Sequence, residues 1–267
     1  LLEWTAWDIR LFFSFFPSFK NYRSDMITEL CPFVYLIENN LDGNLCDRLI
    51  SLYDLPSLRN SIIQKEKLAV NANNLNLIRP DEDLIKDYAD IYLSELVQDV
   101  YNRSPDLELL KDLDTALFKS LTVGLRELHD FLDDKCFIMS KILKRVKGLD
   151  DAPIISYNET NARFEQNFAV DLGYQIQKSG KEYKGFVLHD DYVPKRTLTY
   201  QWYLNDDYEG GETVFTYPGY HVKPKKGSLL LFPALWTHSH IGLAPKNGYK
   251  YIATGWMKTN FINTDYS

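Results

Sequence analysis

The chain has 267 residues, of which 45% are hydrophobic and 25% charged, and its net charge is −7. That length bounds one large domain or two small ones, and the apolar content excludes global disorder. The acidic balance argues against nucleic acid as the main partner.

Residues 1–32 carry a cluster of rings: Trp4, Trp7, Phe12, Phe13, Phe15, Phe16, Phe19 and Tyr22. They read as an N-terminal extension packed onto the body of the domain, with a partner-docking or membrane-surface arm as the alternative. The apolar stretch within it is too short for a membrane span, which needs roughly 18 residues or more. The chain starts on Leu1 rather than Met, so a trimmed targeting segment stays open. Cys31, Cys46 and Cys136 are few, odd in number and far apart, which points to the cytoplasm or another reducing compartment rather than a disulfide-built secreted domain.

Residues 33–37 form a short β-rich run, Asp42 and Gly43 mark a turn, and 45–52 show helical apolar spacing. Residues 54–80, with Pro56, Asn71, Asn73, Asn74 and Pro80, read as a long loop with one strand at most, a length that often serves as a lid. A helix is expected from Pro80, because Leu84, Tyr88, Tyr92, Leu96 and Val100 recur every four residues. Ser104 and Pro105 open the next helix as cap and first-turn proline. Its apolar face is Leu110, Leu113, Leu117, Leu121, Leu125, Leu128 and Leu132. His129 in this helix reads as a surface or packing residue. The basic run Lys141, Lys144, Arg145 and Lys147 reads as a solvated helix face near the C-terminus.

From about residue 155 the period changes to two. Strands are expected over 172–178, 185–190, 197–204, 228–232 and 249–257, punctuated by Gly-Gly, Pro-Gly and Asn-Gly turns. Such a series suggests a closed or double-sheet β architecture with the helices on its outer face. The domain plan is an extension over 1–32 and one domain over 33–267, mostly helical over 33–154 and β over 155–260.

Within the β half lies His189-Asp190-Asp191, and downstream stand His238 and His240. Two imidazoles and one carboxylate can cover one face of an octahedral metal and leave three positions open. On a strand, residues two apart point to the same side, so His189 and Asp191 reach one metal together. The same argument applies to His238 and His240, so either can supply the third ligand. His221 reads as an ordinary strand or turn residue.

Around these residues run Arg196, Thr199, Tyr203-Leu204-Asn205, Gly210-Gly211-Glu212-Thr213, Phe215, Pro224-Lys225-Lys226-Gly227, Phe232-Pro233, Gly242, Lys250 and Trp256. The series resembles the catalytic domain of prolyl-4-hydroxylase-like enzymes, which are iron(II)- and 2-oxoglutarate-dependent dioxygenases. The resemblance covers roughly residues 170 to 260. It implies an α+β fold with a double-stranded β-helix core (jelly-roll, cupin-like) in the C-terminal half and helical support from the N-terminal half. It implies iron(II), 2-oxoglutarate and O2, with ascorbate as an auxiliary reductant. Family spacing selects His240 over His238, so the implied metal ligands are His189, Asp191 and His240. His238 is left beside the site, as a pocket wall that contacts substrate or a partner to a ligand.

The resemblance further implies that Lys250 binds the far carboxylate of 2-oxoglutarate, with hydroxyls from Tyr203 and Thr199. Thr197, Thr199, Gln201 and Tyr203 alternate on one strand face, which fits that joint placement. Arg196 matches a substrate-contacting position, and Trp256 with Trp236 supplies apolar walls. No catalytic residue is expected beyond the metal ligands. One departure is plain: many relatives carry a tyrosine about ten residues before the first metal histidine, and here that place is Ser179. Asp191 argues for hydroxylation over halogenation, because resembling halogenases leave that corner open for chloride.

The expected activity is hydroxylation of an unactivated C–H bond, with peptidyl proline as the family default. The alternatives are the same chemistry on a free amino acid or small natural-product precursor, including ring closure or desaturation, and a non-catalytic metal-binding β-core module. A zinc hydrolase built on the same ligands lacks an obvious general base. The partners expected are a small-molecule or peptide substrate, with no nucleic acid and no transmembrane segment. The oligomeric state is left open.

Overall fold

A computed structural model describes residues 26–58, 88–99, 104–143, 168–183, 186–194 and 196–259. The expected loop and lid over 54–80, most of the aromatic extension, the basic run at 144–147 and the residues after 259 lie wholly or largely outside these segments.

Two antiparallel sheets carry the fold. The large sheet has the order β1-β2-β9-β6-β11-β4-β3. Its strands are β1 (Ile27–Cys31), β2 (Val34–Ile37), β3 (Tyr88–Tyr92), β4 (Phe168–Gly180), β6 (Arg196–Tyr203), β9 (Leu229–Pro233) and β11 (Tyr249–Thr259). The small sheet has the order β5-β10-β7-β8, from β5 (Phe186–His189), β7 (Thr213–Phe215), β8 (Tyr220–Val222) and β10 (His240–Gly242). The arrangement is the expected double-stranded β-helix.

Period-two alternation sorts the side chains of the large sheet. Tyr203 of β6, Leu230 and Phe232 of β9 and Ile252 of β11 point between the sheets and pack with Phe215 and Val222 of the small sheet. Their neighbours Tyr200, Trp202, Leu229, Leu231, Ala253 and Met257 point outward and form the second, larger core with the helices. A sheet buried on both faces needs apolar residues at both phases. That is why β9 reads as the continuous run Leu229-Leu230-Leu231-Phe232.

Helix α1 (Gly43–Ile50) starts where the sequence marks it, and Asp42 accepts from Leu45 N at 2.9 Å. Helix α3 (Leu107–Leu143) lays its leucine stripe on the outer face of the large sheet, with Leu110, Leu113, Leu117 and Leu121 buried. Ser104 Oγ accepts from Asp106 N at 3.2 Å in the turn that leads into this helix. At Gly124 the helix comes so close to β9 that a Cβ there would collide with the Leu229 side chain. Asn40 ties the layers together: its amide donates to Ser120 O at 3.0 Å, and its carbonyl oxygen accepts from Trp202 Nε1 at 2.6 Å.

Two expectations need correction. The helix foreseen from Pro80 to Val100 is, within its described part, strand β3 followed by the short helix α2 (Leu93–Gln98). Residues four apart share a face in a strand as well as in a helix, so the spacing of Tyr88 and Tyr92 did not discriminate. Ile27–Cys31, assigned to the extension, is a strand that pairs with β2 and closes the edge of the large sheet. Among the described residues, no helix is long and apolar enough to cross a membrane.

Candidate metal and cosubstrate site

The site lies between the sheets. β10 pairs with β5 so that His240 stands directly opposite His189. Cross-strand partners have Cβ atoms about 5 Å apart, and the two imidazole centroids are 4.4 Å apart. Asp191 follows the end of β5 and folds back between them. Its Oδ1 is 4.0 Å from His189 Nε2, and its Oδ2 is 3.9 Å from His240 Nε2. The three ligand atoms all lie within 4.8 Å of one another. Ligands on adjacent corners of a cation held at about 2.1 Å are about 3 Å apart, so a small inward movement of each would seat a divalent ion. Two neutral nitrogens and one anionic oxygen suit iron(II).

The route to this geometry differs from the alternation argument. His189 is the last residue of β5, and Asp191 is already off the strand. The His189–Asp191 pair therefore converges by a change of chain direction. His238 is likewise off any strand, in a 3-10 turn over Trp236–His238. Its Nε2 bonds Pro32 O at 3.0 Å and its Nδ1 bonds Thr237 Oγ1 at 2.9 Å. The ring is thus occupied on both nitrogens, and the expectation that His238 contacts substrate is corrected. It ties the turn before β10 to the turn between β1 and β2.

The backbone of His238 does contribute. Its carbonyl bonds His240 Nδ1 at 3.1 Å. A carbonyl only accepts, so Nδ1 carries the proton and Nε2 presents its lone pair. Burial lowers the His240 pKa, opposed by Asp191, which keeps the ring neutral and ready to ligate. Phe215 and Phe232 pack on this ring at centroid distances of 5.7 and 4.9 Å and exclude water from it.

Thr199, expected beside the cosubstrate, instead donates its hydroxyl to Asp191 Oδ2 at 2.7 Å. It orients a prospective ligand. Farther along the same face of β6, Tyr203 OH donates to Thr213 Oγ1 at 2.8 Å, and Gln201 donates to the same oxygen at 3.2 Å. Burial pushes the Tyr203 phenol up, so it stays a neutral hydroxyl. Thr213, the last residue of the Gly210-Gly211-Glu212-Thr213 run, has a role that its place in the motif does not reveal. Two inward polar groups on β6, Gln201 and Tyr203, needed a common partner, and Thr213 supplies it.

Lys250 opens β11 and is 5% exposed. Its Nζ donates to Gly211 O at 2.7 Å and lies 5.9 Å from the Tyr203 ring centroid. Among the described residues no carboxylate forms an ion pair with it; Glu212 acts on it only at longer range. Burial lowers its pKa to about 8. A buried cation held by one carbonyl is costly unless an anion joins it. A dicarboxylate cosubstrate meets that need. Ser179, which stands where relatives carry a tyrosine, is the cross-strand partner of Lys250 and is buried.

Arg196 lays its guanidinium over the Trp256 ring at 3.9 Å from the centroid, so these two expected substrate contacts form one stacked unit. The Trp256 Nε1 is buried without a partner. Trp236, the other expected wall, is 77% exposed and points to the surface.

The family model of the 2OG-Fe(II) oxygenase superfamily matches residues 174–258, the span of the motif series. Comparison with curated proteins gave no match. Among solved structures, a viral collagen prolyl hydroxylase from Paramecium Bursaria Chlorella virus-1, in its 2OG complex, is 19% identical over 85% of this chain and 96% of that one, with a TM-score of 0.44. A prolyl 4-hydroxylase from Phytophthora capsici is 16% identical over 86% of this chain and 60% of that one, with a TM-score of 0.44. A prolyl hydroxylase from Trichoplax adhaerens, in complex with a hypoxia inducible factor oxygen degradation domain peptide fragment, is 13% identical over 88% of each chain, with a TM-score of 0.49. Over residues 174–258, less than half of its length, the chain is similar to the 2OG-Fe(II) oxygenase superfamily, the dioxygenases that use iron(II), 2-oxoglutarate and O2.

Proposed function

We propose that the chain hydroxylates an unactivated C–H bond, with a prolyl residue of a peptide as the substrate. His189, Asp191 and His240 hold the iron, and Lys250 receives the far carboxylate of 2-oxoglutarate. The observation that carries this reading is the convergence of those three ligand atoms within 4.8 Å. Bound iron(II) supplies the chemistry in which O2 and 2-oxoglutarate yield succinate, carbon dioxide and a hydroxylated product.

The chain's own part is positioning and exclusion of water. Thr199 fixes the Asp191 carboxylate, and the His238 carbonyl fixes the His240 tautomer. Phe215 and Phe232 shield the His240 ring. Lys250 neutralises the dicarboxylate at the closed end, where Tyr203 and Thr213 line the wall. The Arg196–Trp256 stack gives a flat rim that a prolyl ring and its flanking carbonyls would fit. Peptidyl proline rests on the resemblance of the motif series, since one fold hosts many substrates.

The test offers the iron-loaded protein proline-containing peptides and, separately, free amino acids, with 2-oxoglutarate and O2. Succinate release and product mass are followed together. Peptide product gaining one oxygen, matched to succinate, supports the reading. Product from free amino acids alone shifts it to a small-molecule oxygenase. Absence of 2-oxoglutarate-dependent O2 uptake with every substrate would point to a non-catalytic metal-binding module.

A further inference from the structure

Tyr208 lies in the segment between β6 and β7. Its hydroxyl is fully buried and has no hydrogen-bond partner. A buried hydroxyl left unpaired costs free energy comparable to a lost hydrogen bond, so such a group needs an explanation. Its surroundings supply one. Gly211, at φ +74°, lies against both the Tyr208 ring and the Lys250 stem: a Cβ there would sit 2.6 Å from Tyr208 Cε2 and 3.3 Å from Lys250 Cδ. Tyr208 and Lys250 therefore flank one glycine, whose carbonyl takes one of the lysine's three donors. The Tyr208 phenol is close enough to Tyr203 to feel it electrostatically, and burial pushes it up and keeps it protonated. Tyr203 has already committed its own proton to Thr213. Around Gly211 thus stand a cation with no carboxylate partner among the described residues and a buried O–H with no partner.

We propose that the Tyr208 hydroxyl is a second donor to the far carboxylate of 2-oxoglutarate, sharing that group with Lys250. The inference rests on the cosubstrate reading given above. A carboxylate has two oxygens and can accept from both groups at once, so the phenol would set the orientation of a carboxylate that a lysine alone holds as a point charge. Tyr208 is a positioning residue for the cosubstrate, remote from the reacting carbon.

Tyr208→Phe keeps the ring and removes only the donor. Binding is read by calorimetry on Mn(II)-loaded protein without O2, using 2-oxoglutarate and 2-oxopentanoate, which keeps the keto acid and lacks the far carboxylate. The expected result is about tenfold weaker 2-oxoglutarate binding or more, with 2-oxopentanoate unchanged. Unchanged affinity for both ligands overturns the proposal. Equal loss for both also overturns it, since that marks a packing effect. Lys250→Ala is the companion variant. If it weakens 2-oxoglutarate while Tyr208→Phe does not, the cosubstrate reading stands and the role of Tyr208 falls. If Lys250→Ala alters neither ligand, the pocket does not take the dicarboxylate and both fall.

Discussion

The Thr199 hydroxyl donates to Asp191 Oδ2 at 2.7 Å, and that oxygen is the one facing His240 Nε2. Asp191 is off the strand, so nothing in β5 holds its side chain in place. The threonine does so from β6, a strand of the opposite sheet. Groups that orient a metal ligand typically contribute about 10- to 100-fold in metal affinity. Thr199→Val, which keeps the shape and loses the donor, is predicted to weaken Fe(II) or Mn(II) binding by that factor. Thr199→Ser should restore most of it. Metal titration of the two variants checks this, and equal affinities would remove the threonine from the site.

His240 and His238 are two residues apart and are predicted to behave oppositely. His189→Ala, Asp191→Ala and His240→Ala should each abolish stoichiometric metal binding and turnover. His238→Ala should retain metal, because its ring bonds Pro32 O and Thr237 rather than facing the triad. Its cost should appear in stability, at about 1 kcal/mol for the lost buried hydrogen bond, or a few degrees in Tm. Metal stoichiometry and thermal melts on the four variants separate the two roles. Loss of metal in His238→Ala with an unchanged melt would reverse the assignment.

Lys250 predicts opposite pH trends for stability and cosubstrate binding. Its pKa falls from 10.5 to about 8 because burial penalises the ammonium. Between these values the unfolded chain holds a proton that the folded chain has released. The stability of the ligand-free protein therefore gains from this group as pH rises across that window, and the gain is lost as pH falls through about 8. The dicarboxylate needs the ammonium, so 2-oxoglutarate affinity should fall about tenfold per unit above that point. Binding there should take up a proton, seen by calorimetry in buffers of different ionisation enthalpy. Lys250→Met should lose both trends. A 2-oxoglutarate affinity flat from pH 7 to 10 would count against the ammonium as its partner.

Legibility in the sequence followed the length of each element. The leucine stripe of α3 repeats over many turns, and residues such as Leu113 and Leu117 are buried as their spacing requires. β6 alternates long enough to show Thr199, Gln201 and Tyr203 on one face. β7, β8 and β10 have three residues each, too few to display a period, and all three were missed. β10 carries His240, so the register that sets it against His189 was invisible even though the residue itself was legible. The metal triad could be read because chemistry restricts its residue types. Thr199 is legible as an inward residue of β6, but its bond to Asp191 is not, since a face does not say which group a hydroxyl meets. Tyr208 carried no signal at all, because its role depends on Gly211 lying between it and Lys250.

The stacked pair Arg196 and Trp256 gives the remaining prediction, which concerns substrate rather than metal. The guanidinium lies 3.9 Å from the indole centroid, and the two residues sit on adjacent strands near the register pair Trp256–Thr199. Thr199 in turn touches Asp191, so this stack is one residue removed from the metal site. A flat cation on an aromatic face holds its planar donors in one orientation, suited to backbone carbonyls of a bound peptide. Arg196→Ala should raise the KM for peptide at least tenfold. It should leave 2-oxoglutarate affinity and succinate formation without peptide within about twofold of the parent. Arg196→Lys should recover little, because an ammonium neither stacks nor forks. Steady-state kinetics with peptide and 2-oxoglutarate varied in turn distinguish the outcomes. If Arg196→Ala raised the 2-oxoglutarate requirement instead, the stack would belong to the cosubstrate wall and the substrate would enter by another face.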